Sequence, residues 1–329
     1  MSRLTRYATT SQRLSLTAME EASRRGLREA DLQDLFLALV LNDQPAGQAL
    51  RHLGITITTA RAAVQDHQRQ QIASLGITAD IPEPGTIVFH ETGGYEWSKR
   101  AVDLIGRAGK KGRTADAAAV LRELLEEPSG VIIELLRRLG ATPAAVLEEL
   151  ERAESFPAAT QEPGPHQRGE VTGTTEAFAP ASVEDVWALV SDPGRIPDWE
   201  PAISAVESAD EPVEPGTAWV AHARTVTPDG KPIRVNKKFR RRGVELLEAQ
   251  NRTRVQWRFT SPDAPASRPF VIAVELTPTT GGTHLTITLT WFKHHGWRSL
   301  LRAPLRPLQR FLIWIQLSQI ASSISRTFR

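Results

Sequence analysis

A chain of 329 residues with 40% hydrophobic and 24% charged side chains is long for one core and too apolar to be disordered, so two globular domains are expected. Its formal charge of only +2 supplies no overall field for nucleic acid. The absence of cysteine excludes a disulfide framework, zinc ribbons, iron–sulfur ligation and thiol catalysis.

From Met1 through Leu16 the chain is polar and lacks the apolar run of a signal peptide. A repeat follows. Leu35–Thr56 and Leu121–Thr142 align without a gap, 86 positions apart. Leu35, Leu39, Leu50, Arg51, Leu53, Gly54 and Thr56 coincide with Leu121, Leu125, Leu136, Arg137, Leu139, Gly140 and Thr142. In each copy the apolar residues fall at helical spacing: Leu35, Leu39, Ala46, Ala49, Leu50 and Leu53 in the first, and Leu121, Leu124, Leu125, Ile132, Leu135, Leu136 and Leu139 in the second. Asn42-Asp43 and Pro128-Ser129 supply turn chemistry, and Gly54 and Gly140 stand where a left-handed cap ends a helix. One copy cannot bury both of its faces, so the two are expected to pack as one all-α domain. Between the copies, Thr86–Phe89 reads as a short strand.

Residues 1–152 resemble the N-terminal domain of Clp ATPases, a double repeat that recruits substrates and adaptors. The resemblance rests on Leu4-Thr5, Glu20-Glu21-Ala22, Asp34–Leu39 and both Leu-Gly stops. It implies a binding surface for peptides or Clp-directed compounds at Leu4, Gln33 and Tyr95. In the family's Gly-Thr-Glu-His box the acidic residue of each repeat helps bind phosphoarginine. Gln33 and Ala119 replace it here, so that tag is not expected to bind. A motor is missing as well: Gly106–Gly112 lacks the Gly-Lys-[Ser/Thr] ending of a phosphate loop. Tyr95 reads equally well as a core aromatic.

Residues 153–170 are rich in Pro, Gly, Ala and Glu without periodicity and read as a linker. From Val171 to Arg329 the period becomes two. Val255, Trp257 and Phe259, then Phe270, Ile272, Val274 and Leu276, then Leu285, Ile287, Leu289 and Trp291 each alternate with less apolar neighbours, as antiparallel strands with one buried face do. Gly281-Gly282 marks a hairpin. Ser182-Val-Glu-Asp185 is a helix cap. A long helix is expected from Arg298 to Arg326, interrupted near Pro304 and Pro307. Its most apolar stretch, Phe311–Ile324, is too short to span a bilayer and contains Gln316, Ser318 and Gln319. A cytoplasmic protein is expected.

This order of elements, with Val186-Trp187 and Ser191–Pro201, resembles the START-like superfamily, often called polyketide cyclase/dehydrase. The resemblance implies an α+β helix-grip domain, an antiparallel sheet wrapped around a long C-terminal helix, with an apolar cavity between them. Trp199, Trp219, Phe239, Trp257, Phe259, Leu289 and Trp291 are the candidate lining, though each reads as well as core. His222 is the one candidate acid/base group. If Arg234–Arg242 is a strand, Arg234, Asn236, Lys238, Arg240 and Arg242 share a solvated face. Phe239 then shares the other face with Lys237 and Arg241, either of which would meet the anionic head of an apolar ligand.

His294-His295, adjacent on a strand, point apart and make a poor metal pair, and neither a metal site nor a cofactor is read. HExxH, GxSxG, SxxK and GxGxxG motifs are absent, so an enzyme is not the first expectation. The leading reading is a Clp-related adaptor, decoy or ligand sensor without an ATPase. Its partners are an apolar small molecule and Clp ATPase or protease components or their clients. A polyketide cyclase or dehydratase, or a lipid carrier at a membrane surface, is the alternative. No specific nucleic-acid partner is expected, and membrane contact is the weaker option.

Overall fold

The computed structural model describes residues 3–76, 85, 87, 95–110, 116–155, 170–207, 213–227, 230–292 and 306–329. The chain divides into two compact units, Met1–Thr160 and Gln161–Arg329.

Helices α1 (Arg3–Arg24), α2 (Leu32–Val40), α3 (Pro45–His52) and α4 (Ile57–Ser74) form the first half of unit one. Helices α5 (Lys99–Lys110), α6 (Ala117–Leu125), α7 (Val131–Arg138) and α8 (Pro143–Ser155) form the second. Two-residue strands β1 (Glu29–Ala30) and β2 (Glu96–Trp97) pair in parallel. The repeat thus appears as four helices followed by four helices, with α3 and α7 occupying equivalent positions. Gly54 and Gly140 adopt φ of 77° and 73°, and beyond them the Ile55 and Ala141 amides return to the Leu50 and Leu136 carbonyls. These are the two left-handed helix ends the spacing predicts. Most of the two apolar stripes are buried, while Leu53 and Leu139 are half-buried.

The copies differ where polar groups enter the core. Arg51 is buried and donates from Nη1 to the carbonyls of Val40 and Asn42, both at 2.7 Å. Its counterpart Arg137 is exposed and pairs with Glu134. Asp34 is fully buried against Arg25, whose Nη2 lies 2.5 Å away. Burial pushes the Asp34 carboxyl up to about 6, with the Arg25 charge pulling it back. Gly106–Lys110 is the last turn of α5, which is incompatible with a phosphate loop. Lys111 and Gly112, and Thr86–Phe89 apart from Ile87, lie outside the described residues.

Unit two contains β3 (Glu170–Ala179), α9 (Val183–Val190), α10 (Ile196–Trp199), β4 (Ile203–Val206), β5 (Ala218–Ala223), β6 (Arg241–Gln250), β7 (Arg254–Thr260), β8 (Phe270–Thr279), β9 (Gly282–Phe292) and α11 (Arg306–Thr327). The strands form one antiparallel sheet in the order β3-β9-β8-β7-β6-β5-β4. Ser182 caps α9: its Oγ accepts from the Asp185 amide at 3.1 Å and donates to the Asp185 carboxylate at 2.6 Å. The β8–β9 hairpin turns at Gly281, with φ of 78°. Helix α11 packs against β3 so closely that a Cβ on Gly173 would lie 2.5 Å from Ile313 Cγ2. Pro307 is the second residue of α11, where no N–H is required. Residues 298–305 lie outside the described residues.

The inner face of the sheet and α11 share one apolar cluster that includes Trp257, Phe259, Ile272, Leu289, Ile313 and Leu317. The other face is polar. Thr172 and Thr174 meet Thr290 and Thr288 across the β3–β9 pair, and Arg258 and Arg254 pair with Glu245 and Glu275.

Arg234–Arg242 is not a continuous strand. A 3-10 turn occupies Lys237–Phe239, and β6 begins at Arg241. Asn236 Oδ1 accepts from the Lys238 amide and starts that turn, so the alternation assumed across the stretch is broken.

Candidate functional site

Inside the helix-grip unit a small polar group interrupts the apolar core, and its placement begins at Asp192. The Asp192 side chain accepts from the Gly194 amide at 2.8 Å, closing a 3-10 turn at Pro193–Arg195 that leads directly into α10. The guanidinium of Arg224 then holds the following segment, donating to the carbonyls of Pro201, Ile203 and Pro197 at 2.9, 2.9 and 3.2 Å. Trp199 and Glu200 sit inside this brace and are 0% and 2% exposed.

Glu200 Oε1 accepts from the Ala202 amide at 3.2 Å, and the Gln316 side chain of α11 hydrogen-bonds the same carboxyl. Glu200 Oε2 and the indole Nε1 of Trp199 have no hydrogen-bond partner among the described residues. Burial pushes the carboxyl up to about 7, while the Ala202 and Gln316 hydrogen bonds and the Arg242 charge pull it down.

Arg242 lies on the face of β6 that also carries the buried Val244 and Leu246. Its Nη1 donates to Ser261 Oγ at 2.5 Å, and its guanidinium lies 5.6 Å from the centre of the Phe239 ring. Burial lowers its pKa and Glu200 raises it. A buried acid that feels the charge of Arg242 therefore follows directly on a buried tryptophan whose indole N–H has no partner among the described residues. Such a set can hydrogen-bond an oxygen-bearing group in either direction.

Of the aromatics expected to line a cavity, Trp199, Trp219, Trp257 and Phe259 lie buried in the apolar cluster of the sheet and α11. Trp199 meets Phe259 edge-on with ring centres 6.5 Å apart, Trp219 tilts against Trp257 at 5.9 Å, and Phe259 stacks on Phe270 at 4.9 Å. Leu289 is buried with them, and Trp291 packs half-buried against the cluster. Trp257 is fixed by donating from Nε1 to the Val190 carbonyl at 2.8 Å.

Three expectations require correction. His222 does not enter the interior. On β5 it alternates with the buried Trp219, Ala221 and Ala223 in the opposite phase, and its exposed ring meets Glu207 at 2.8 Å. Arg241 is also exposed and pairs with Asp263 at 2.6 Å, so the inward cation is its neighbour Arg242. Phe239 is half-buried in the 3-10 turn and stands apart from the buried cluster, with Lys238 Nζ 5.2 Å from its ring centre. Glu200 and Arg242 are functional candidates that pattern reading missed. No local pattern in the sequence marks either of them as facing inward.

In unit one, Gln33 is half-buried on α2, and Tyr95 is half-buried directly before β2. Leu4 belongs to α1, but its side chain lies outside the described residues. Ala119, the counterpart of Gln33, is buried. A cleft of about 590 Å³ opens along α1 and α4, lined by Leu27, Leu37 and Ile72 among others. At its wall Arg61 grips Glu21 with two hydrogen bonds of 2.9 and 2.7 Å. Among the described residues no group of His, Asp and Glu is arranged to hold a metal ion, and no helix is long and apolar enough to cross a membrane. His294 and His295 lie outside the described residues.

Residues 170–311 match the family described as polyketide cyclase / dehydrase and lipid transport, and the seven-stranded antiparallel sheet with its C-terminal helix fits a helix-grip fold. Similar solved structures include a protein from Chromobacterium violaceum, at 17% identity over 47% of this chain and 96% of that one, with a TM-score of 0.32. A polyketide cyclase-like protein from Corynebacterium glutamicum is 19% identical over 49% and 93%, with a TM-score of 0.32. A major latex-like protein of Panax ginseng is 13% identical over 49% and 99%, with a TM-score of 0.33. No curated protein matches this chain.

Proposed function

We propose that this chain is a binding protein whose helix-grip half takes up an apolar small molecule and holds the ligand's polar end at Trp199 and Glu200. One observation carries the reading: two adjacent, fully buried side chains each leave a polar atom unpaired among the described residues. A buried donor or acceptor without a partner costs about 1–3 kcal/mol, and a ligand oxygen placed there would recover it. Lipid transport in the description of the matching family points the same way. The N-terminal half, with its repeated helices and its resemblance to the Clp N-terminal domain, is read as a recruitment module for a peptide, a Clp partner or a Clp-directed compound. Together they would make a ligand-regulated adaptor or decoy.

Native mass spectrometry of the full chain purified from cells tests the ligand reading. An adduct of roughly a few hundred daltons is expected, carried by the wild type and depleted in Glu200→Leu. A clean protein mass, with no saturable binding of anilinonaphthalene sulfonate, removes it.

The same carboxyl supports a second reading, catalysis of cyclisation or dehydration, because an acid near neutrality is suited to proton transfer. That reading expects wild type and Glu200→Gln to hold different ligands, either differing in mass by one water or isomers of equal mass that separate on chromatography. Identical ligands from both proteins would leave binding alone.

A further inference from the structure

Beyond Arg224, the described part of the segment joining β5 to β6 takes no part in the ligand site, and it is unusually composed. Its first part is a short hairpin. Val226 and Pro232 form a bridge, the Thr227 amide donates to the Lys231 carbonyl at 2.8 Å, and the Ile233 amide donates to the Thr225 carbonyl at 2.8 Å. On this backbone Val226 and Ile233 project from opposite faces of the ribbon and remain 48% and 39% exposed; Ile233 is the one next to the basic run. Directly after it come Arg234, Lys237, Lys238 and Arg240, all exposed. Among the described residues none of these four has a carboxylate partner, whereas Arg241, the next residue, does.

An exposed aliphatic side chain beside unpaired cations suits a surface that is apolar below and negatively charged above. A single-stranded nucleic acid would instead call for exposed aromatics on which bases stack. The segment's one aromatic, Phe239, is half-buried with Lys238 and Arg242 against its ring. We propose that the β5–β6 segment is a docking edge for an anionic lipid surface, with Ile233 entering the interface and Arg234, Lys237, Lys238 and Arg240 lying against the headgroups. The inference is independent of the interior site.

Co-sedimentation of the full chain with vesicles of phosphatidylcholine, and of phosphatidylcholine with phosphatidylserine, tests it. Binding to the anionic vesicles is expected to exceed binding to the neutral ones by about tenfold or more, and to weaken as salt rises. The triple variant Arg234→Glu, Lys237→Glu, Lys238→Glu loses that preference. Ile233→Ser weakens binding several-fold while leaving the salt dependence in place. All four positions are exposed, and unchanged melting curves will show that the variants fold. Equal partition onto both vesicles, undiminished binding by the triple variant, or tighter binding to a single-stranded polyuridine than to anionic vesicles would each overturn the proposal.

Discussion

Burial moves the Glu200 carboxyl up to about 7 from a usual 4.5, so near neutrality the folded chain retains a proton that the unfolded chain releases. The linkage has a definite sign. Stability is full below the unfolded pKa, falls as pH rises from about 4.5 towards 7, and levels off above, a loss of about 3 kcal/mol. Glu200→Gln keeps the shape and removes the ionisation. Urea denaturation at about pH 5 and about pH 8 should find the variant close to wild type at the lower pH and more stable at the higher one. A wild type equally stable at both would mean that the carboxyl ionises freely. Nothing in the sequence marks this residue as special, because a glutamate after a tryptophan reads the same whether it is buried or solvated. Its role depends on Arg224 bracing the segment and on Gln316 arriving from a helix more than a hundred positions away. Trp199, Trp257 and Phe259 were legible because burial of large aromatics follows from composition and period alone.

Elements were easier to read than the facing of their side chains. The two helix ends at Gly54 and Gly140, the Ser182 cap and the hairpin at Gly281 all follow from local chemistry, and local chemistry is visible in sequence. His222 and Arg241 were misplaced for a different reason. A strand has a period of two, so an error of one residue in its phase sends every side chain to the other face. The 3-10 turn at Lys237–Phe239 introduces that error before β6 and brings Arg242 inward in place of Arg241. The grip of α11 on β3 rests on a similar one-residue detail at Gly173. Adding a methyl there sets it 2.5 Å from Ile313 Cγ2 and 3.1 Å from Leu317 Cδ1, both buried. Gly173→Ala should therefore cost about 1–3 kcal/mol by overpacking. Denaturant midpoints for the variant and wild type measure it, and an unchanged midpoint would show that α11 can lift away without strain.

At the scale of the whole molecule, each unit has a core of its own. In the first, Leu35, Phe36, Leu50, Leu121 and Leu136 are fully or nearly fully buried, and in the second the inner sheet face closes on α11. A core that closes within one unit should fold without the other. Fragments 1–155 and 170–329 are accordingly expected to be stable separately, the first with a helical circular dichroism spectrum and the second with mixed sheet and helix. The melt of the full chain should approximate the sum of theirs. Separate cores would also keep the two proposed activities apart. A ligand of the helix-grip half stabilises only the unit that binds it, by about 2.7 kcal/mol at a hundredfold excess over Kd. For a unit of this size that shifts its transition by about 5–10 °C. The N-terminal transition should stay in place when such a ligand is added, and a peptide recruited by the helical repeat should produce the converse pattern. If a ligand instead moves both transitions together, or if either fragment is unfolded, the two halves form one thermodynamic unit. The adaptor reading would then need binding at one half to be felt at the other, and the coupling could be measured directly as the change in affinity for one partner when the second is present.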